Sequence, residues 1–242
     1  HDLIWGLGYR YSEDRIRDTP IVEVPDHTDV ATLYSVYAQD EITLQPQRWR
    51  LSVGARLDYN DATHLGVQPN VRLLWTPDAA QSAWISVARA IRTPSRMEQD
   101  RNVYRFPIPS FDVAMAPPTI IETVTGPLQD EEVDALDVGW RGQLGTKASL
   151  DIAGFYYHYD DLRGGQLGPP AMIPPGYLII PTQTDNSLNA HSYGAEVSLD
   201  WCVLPSWRLQ ANYSWLHMRV RGRDEPTQAP SEVGDVSPTQ QF

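Results

Sequence analysis

Cysteine and lysine are almost absent from this 242-residue chain, in which Cys202 is the single cysteine and Lys147 the single lysine. One cysteine excludes an internal disulfide framework and a cysteine-rich zinc site. Acidic residues number 31 against 19 Lys and Arg, which gives a net charge of −12. Because an acidic chain repels the phosphate backbone, we expect no nucleic-acid partner.

Long apolar runs and leader signals are also missing. No stretch approaches the roughly 18 consecutive apolar residues of a membrane-spanning helix. The chain starts at His1, and its first residues show no basic segment followed by an apolar run. At the other end, Gln240, Gln241 and Phe242 resemble the start of a further strand. We therefore expect both ends to be cuts in a longer chain.

The chain has a recurrent alternation of apolar and polar residues with a period of two. Clear alternation occurs at 3–12, 49–59, 193–201 and 207–215. Weaker alternation occurs at 32–44, 69–76, 83–91, 131–141 and 148–158. This pattern predicts about nine β-strands and no sustained helix.

One face of these predicted strands is apolar and ends in Trp or Tyr, whereas the other face is polar. Trp49 and Tyr59 lie at opposite ends of one strand, as Trp207 and Trp215 do on another. Two aromatic girdles, an apolar face toward lipid and a polar face toward water are typical of a transmembrane barrel. The alternation alone fits a large soluble β-sheet protein with one wet face equally well.

The connections between the predicted strands favour the membrane barrel. Short links are predicted at 44–48, 76–82, 142–147 and 202–206. Long links are predicted at 12–31, 60–68, 92–130, 159–189 and 217–239. Tight turns that alternate with long loops are typical of outer-membrane barrels. The predicted fold class is therefore all-β, an antiparallel transmembrane β-barrel.

Five short motifs, in order along the chain, resemble the TonB-dependent outer-membrane receptors. The longest, Ala88-Arg89-Ala90-Ile91-Arg92-Thr93-Pro94-Ser95, resembles the strand-to-loop motif of that family. The other four are 37–41 with 54–58, 131–133 with 139–141, 155–156 with 159–161, and 193–196. Each is weak alone, and together they identify the chain as similar to this family over most of its length.

The resemblance implies a fold and a function for the longer protein. Members have an N-terminal plug domain inside a 22-stranded barrel, and nothing in this chain resembles the plug. Residues 1–242 would then be one partial barrel domain of about nine or ten strands. The resemblance further implies an outer-membrane location, a ligand such as a ferric siderophore, haem or cobalamin, and import powered by the TonB complex through the plug.

The loop after the fifth predicted strand is the candidate ligand-contact segment. Arginine and aromatic side chains together suit anionic, planar ligands such as catecholates. The candidates are Arg92, Arg96, Arg101, Tyr104, Arg105 and Phe106, with Tyr177 from the proline-rich segment 168–177. Alternatively, these arginines pair with Glu98, Asp100 and Asp112, or with the phosphates of lipopolysaccharide, which we expect as a partner together with outer-membrane lipid.

Two other functions stay open. A passive porin or adhesin-type barrel would lack the plug. A barrel hydrolase would need a serine, a histidine and a carboxylate that face one way, and the chain shows neither that set nor a catalytic motif. We expect no enzyme activity, no cofactor and no metal site. His158, Asp160 and Asp161 have the composition of metal ligands but are predicted to be polar residues at a loop edge.

Overall fold

The structure, a computed structural model, describes residues 1–99, 103–108, 119–174, 176–222 and 240–241. Within these residues, nearly every regular element is a β-strand, and the helix α1 (Arg96–Gln99) has four residues. None of the helical residues described forms a segment long and apolar enough to cross a membrane. The strands are β1 (Asp2–Arg15), β2 (Val22–Glu23), β3 (Thr28–Gln45), β4 (Trp49–Asn60), β5 (His64–Asp78), β6 (Gln81–Arg92), β7 (Val103–Ile108), β8 (Thr119–Val124), β9 (Glu131–Leu144), β10 (Ala148–Leu167), β11 (Ala171–Ile173), β12 (Tyr177–Leu204), β13 (Trp207–Gly222) and β14 (Gln240–Gln241).

Nine long strands form one antiparallel wall in the order β1-β3-β4-β5-β6-β9-β10-β12-β13. The sheet is open. Within the described residues β1 pairs on one side only, and β14 pairs with β13 through two residues. The predicted strand number and the all-β class are confirmed. A smaller extension, which the sequence did not predict, runs β8-β7-β2 and joins the start of β12 through a parallel pairing with β8.

The wall has almost no buried core. Among the described apolar residues, only Val24, Leu128, Ala190 and Val220 are buried. In contrast, Trp5 is 66% and Leu7 76% exposed. Water would make this exposure unfavourable by roughly 25 cal/mol per Å² of apolar surface. The soluble alternative, which requires these side chains to pack centrally, is therefore wrong.

The strand register places the apolar residues on one face, called here the apolar face. Along one cross-strand row, Leu7 lies opposite Val36, Val36 opposite Leu57, and Leu57 opposite Val67. Rows of aromatic rings bound this face at both ends. The ring of Trp49 stacks on that of Trp75 with 5.7 Å between centroids, and the rings of Tyr9 and Tyr34 are 5.1 Å apart. These rows are the predicted girdles.

The opposite face, called the polar face, is lined with hydrogen-bonded side chains. The bonds join Arg50 to Glu41 (3.2 Å), Arg141 to Asp151 (2.6 Å), Arg208 to Asp200 (2.7 Å) and Tyr157 to Asp137 (2.8 Å). The Arg72 guanidinium lies over the Trp84 ring at 5.6 Å. Each wall strand thus presents hydrocarbon on one side and polar groups on the other, as a membrane barrel requires.

The two ends of the wall differ in their connections. At one end, called the turn end, links 46–48, 79–80, 145–147 and 205–206 are short, as predicted. At the opposite loop end, the predicted long link 60–68 is wrong. Asn60 Oδ1 accepts hydrogen bonds from the backbone N–H groups of Ala62 and Thr63, which closes a three-residue turn before pairing resumes at His64. The predicted link 159–189 is also largely strand, because β10 and β12 extend into it.

Candidate ligand site at the loop end

A cavity of about 760 Å³ opens on the polar face at the loop end. Its wall is built from β1, β3, β4 and β5, and α1 closes one side. Seven of its 19 lining residues are charged, namely Arg10, Arg56, Arg96, Asp14, Asp29, Asp58 and Asp61. The volume falls in the range of pockets that bind small molecules.

Asp58 holds one side of this cavity in a fixed arrangement. The Nε of Arg56 donates to both Asp58 carboxylate oxygens at 2.9 Å. Gln68, which lies opposite Arg56 on β5, donates its Nε2 to the same carboxylate at 2.9 Å. The Asp58 side chain is only 12% exposed. Arg56 is therefore an ordered donor whose charge is already compensated.

Arg96 anchors α1 against the wall. Its guanidinium forms an ion pair with Asp14 of β1, lies 3.7 Å from the carboxylate of Asp29 on β3, and donates to the backbone oxygen of Asp26. Its side chain is 9% exposed. Arg96 thus lines the cavity, as a sequence-predicted contact should, but its donors are engaged within the protein.

Arg10 differs from the other two arginines of the cavity. It occupies a polar-face position near the loop end of β1, opposite Leu33, and its side chain is exposed. No carboxylate in the described part of the chain forms an ion pair with it. Arg10 is not among the ligand contacts that the sequence predicts, because those candidates lie in the long loops. The signal was available in the position of Arg10 among the polar residues of an alternating strand.

Glu98, at the third residue of α1, binds two further arginines. Its Oε1 accepts from Arg92 at 2.7 Å and from Arg163 at 2.5 Å. Its Oε2 accepts from the backbone N–H of Ser95 at 2.8 Å and from the Ser95 hydroxyl at 2.9 Å, as in a capping box. Burial raises the pKa of Glu98, but the Ser95 and Arg92 hydrogen bonds outweigh it and lower the pKa to about 2.

Glu131 completes this network from β9. The Arg92 guanidinium lies 3.1 Å from its carboxylate, and the backbone N–H of Arg163 donates to it at 3.0 Å. The network joins β6, α1, β9 and β10 at the loop end. The structure therefore contains the Arg92–Glu98 pair, which the sequence offers as the alternative to a ligand contact. Asp100 and Asp112 lie outside the described residues.

Arg105 lies in β7, away from the cavity lining. Its guanidinium bonds to Glu122 of β8 at 2.9 Å and to Glu23 of β2 at 3.0 Å. These hydrogen bonds raise the pKa of Arg105 above its ordinary value. Arg105 thus holds the three strands of the extension together.

Of the remaining sequence candidates, Tyr177 does not line the cavity. Tyr177 is the first residue of β12, where it pairs with Ile173 of β11. Tyr104 and Phe106 have positions in β7, but their side chains lie outside the described part of the chain, as does the whole of Arg101. The described residues contain no group of three or more His, Cys, Asp or Glu side chains arranged to hold a metal ion.

Together, the apolar face, the girdles and the charged polar face define part of a transmembrane β-barrel. A family model described as TonB dependent receptor-like, beta-barrel matches residues 1–240. The chain therefore belongs to the TonB-dependent receptor β-barrel family.

Solved structures share this fold at low sequence identity. The siderophore receptor PirA from Pseudomonas aeruginosa has 16% identity and a TM-score of 0.69, covering 92% of this chain and 42% of that chain. Its namesake from Acinetobacter baumannii has 14% identity and a TM-score of 0.64, covering 88% and 34%. The ferric enterobactin receptor PfeA from Pseudomonas aeruginosa has 15% identity and a TM-score of 0.68, covering 93% and 37%.

The chain spans 34% to 42% of the length of these receptors. A search of curated protein sequences finds no match.

Proposed function

We propose that the protein to which this chain belongs is an outer-membrane receptor that binds a scarce nutrient and imports it into the periplasm. The observation that carries the proposal is the charged cavity of about 760 Å³ on the polar face of a TonB-dependent receptor wall. The solved receptors of similar fold are named as siderophore receptors. We therefore place a ferric siderophore first, ahead of haem and cobalamin.

In this proposal, the loop end faces the cell exterior and Arg10 is the principal ligand contact among the described residues. A guanidinium donates charge-assisted hydrogen bonds to anionic oxygens, and that of Arg10 does not have to leave a carboxylate first. Arg96 shapes the cavity wall. Arg92 and Arg105 support the surrounding segments, and Arg101, Tyr104, Phe106 and Tyr177 remain proposed contacts from the sequence.

Energy and location are also part of the proposal. The TonB complex would act through a plug domain, as in the family, and the apolar face would contact outer-membrane lipid and lipopolysaccharide. The family and its solved relatives are transport receptors, and we propose no enzymatic reaction for this chain.

Deletion of the gene in its own bacterium, followed by uptake assays, tests the proposal. Cells grown under iron limitation would receive labelled ferric siderophores, haem and cobalamin in turn. We expect uptake of one of these ligands to fall to background in the deletion strain and equally in a strain without TonB. Uptake that persists without TonB, with steady ion conductance of the purified protein in planar bilayers, would instead establish the passive porin.

A further inference from the structure

The apolar face changes in polarity along β13 as the strand approaches the loop end. Its successive residues on this face are Tyr213, Trp215, His217, Arg219 and Arg221. The order runs from aromatic rings through an imidazole to two guanidinium groups. A membrane leaflet changes in the same order, from acyl chains through the interface to charged headgroups.

Polar and charged residues occupy the same level of the apolar face on the neighbouring strands β12 and β10. On β12, His191 lies opposite Arg219, and Tyr193 lies opposite His217 with 5.1 Å between ring centroids. On β10, the His158 ring stacks on His191 at 4.4 Å with an interplanar angle of 18°. The five residues His158, His191, His217, Arg219 and Arg221 are called the headgroup patch.

The two arginines of this patch have exposed side chains without a carboxylate partner. Neither Arg219 nor Arg221 forms an ion pair with any acidic side chain in the portion of the chain that the structure describes, and both are exposed. On the same face, Arg89 is different, because it bonds to Asp134 at 2.8 Å and lies 3.1 Å from Glu132.

The histidines of the patch have partners of their own among the described residues. Asp160 lies 3.1 Å from His158, and the Tyr156 hydroxyl bonds to His191 at 3.0 Å. Among the residues that the structure describes, the patch therefore presents two arginines without a carboxylate partner beside the aromatic girdle.

An apolar groove lies beside the patch on the same face and extends across β10, β9, β6 and β5, with the Arg89–Asp134 ion pair in its lining. It has a volume of about 440 Å³, and its lining includes Val71, Val87, Leu136, Tyr156 and His158. His158 belongs to both the groove and the patch, and Tyr156 of the groove bonds to His191 of the patch. An amphiphile with an anionic head and an acyl chain fits both features at once.

We propose that the headgroup patch binds a phosphate of lipid A, the membrane anchor of lipopolysaccharide, with an acyl chain in the adjacent groove. Two guanidinium groups two residues apart on one strand face offer paired donors to phosphate oxygens. The proposal rests on the outer-membrane location proposed above, because lipid A occupies the outer leaflet. It assigns a site on the outside of the barrel, separate from the ligand cavity on the polar face.

Native mass spectrometry of the whole receptor, purified and stripped of lipid, tests this site. Lipid A with two phosphates is titrated against the wild type, the double variant Arg219→Gln/Arg221→Gln, and the control Arg48→Gln. Arg48 is exposed in a link at the turn end, away from the patch. Because each arginine near a membrane surface contributes to the attraction of anionic headgroups, the double variant should bind roughly 30-fold more weakly. The control should match the wild type.

Related ligands separate the possible sources of the phosphate. Lipid A that lacks one phosphate should bind more weakly than the two-phosphate form, and millimolar inorganic phosphate should not displace it. Equal binding by the double variant and the wild type would overturn the site. Equal binding of phosphatidylglycerol and lipid A would overturn the assignment to lipid A.

The same double variant separates this inference from the proposed function. We expect its level in the outer membrane and its nutrient uptake to match the wild type, because neither arginine lines the ligand cavity. Weakened lipid A binding with normal uptake supports the patch independently of the nutrient. Loss of uptake together with normal lipid A binding would overturn the separation of the two sites.

Discussion

Glu98 holds several segments at the loop end, because one carboxylate accepts from Arg92, Arg163 and Ser95. Glu98→Gln removes the charge but keeps the size of the side chain. Since hydrogen bonds between charged groups contribute about 2 kcal/mol, we expect the free energy of unfolding to fall by about that amount. Thermal unfolding of the whole receptor in detergent measures the change. Glu13→Gln, at an exposed position of β1, is the control and should leave the midpoint unchanged.

The wild type and Glu98→Gln should also differ in how their stability depends on pH. The pKa of Glu98 is lowered to about 2 in the folded state from about 4.3 in an unfolded chain. The folded state therefore gains stability above the unfolded pKa and loses it as the pH falls toward 2. We expect the difference in midpoint between wild type and E98Q to be constant above about pH 5 and to shrink below pH 4. A difference that does not vary with pH would contradict this assignment.

Arg10 is the residue whose loss should affect the nutrient most directly. Arg10→Gln should weaken ligand binding about 10-fold, as expected for one charge-assisted hydrogen bond, and should leave the unfolding midpoint unchanged. Arg96→Gln should lower both the ligand affinity and the unfolding midpoint, since Arg96 also forms an ion pair with Asp14 and donates to the backbone oxygen of Asp26. Titration calorimetry with the ligand identified by uptake checks both, with Arg48→Gln as the control. Wild-type affinity in Arg10→Gln would remove Arg10 from the proposed site.

The sequence identifies charged side chains near the cavity but, apart from Glu98 as the partner of Arg92, not the residues they pair with. Arg96 and Asp14 are 82 positions apart, and their contact depends on how α1 folds back over β1. A contact between residues so far apart in the sequence cannot be predicted from composition alone. From the sequence, the loop arginines can contact either a ligand or nearby carboxylates, and in the structure Arg92, Arg96 and Arg105 all pair with carboxylates of the protein.

At the scale of strands, close packing of β12 against its neighbours depends on Gly194. A Cβ at this position would lie 2.3 Å from the backbone oxygen of Trp215 and 2.5 Å from the Phe155 ring. Gly194→Ala should therefore force β12 and β13 apart and cost about 2 kcal/mol. In SDS gels, a folded barrel migrates as a compact band when the sample is not heated, and this band disappears after heating. Loss of that band in the unheated sample measures the effect.

Gly154 provides the matched control for this substitution. It lies on β10, one strand away, and a Cβ there would meet no atom closer than 3.6 Å. Gly154→Ala should therefore keep the compact band. Equal damage by both substitutions would show that glycine itself, rather than the close approach at Gly194, is required in these strands.

The wall strands could be predicted because alternation is a local property. Trp49 to Tyr59 already shows in sequence the two faces that it has in β4. The extension could not be predicted in the same way. Its strand β8 pairs in parallel with the start of β12, at Leu178 to Gln183, and that contact depends on residues far apart in the chain.

For the molecule as a whole, the open edges of the sheet determine whether residues 1–242 can fold on their own. The backbone groups on one side of β1 have no strand to bond with among the described residues, and β13 meets β14 over two residues only. Unpaired edges promote pairing with other chains. Residues 1–242 refolded alone should therefore give aggregates without a heat-sensitive band, whereas the whole receptor should give one. A monodisperse, heat-sensitive monomer of the isolated chain would contradict this expectation.

Because the wall is a single sheet, its architecture also affects how the sequence of such a protein diverges. Since each side chain belongs to a single face, a substitution that suits a new lipid leaves the interior surface untouched, and a new ligand contact leaves the exterior untouched. Neither change disturbs a shared core, because the described residues contain almost none. Selection can therefore act on the two surfaces separately. Relatives with 14% to 16% identity can accordingly superpose on this chain with TM-scores of 0.64 to 0.69.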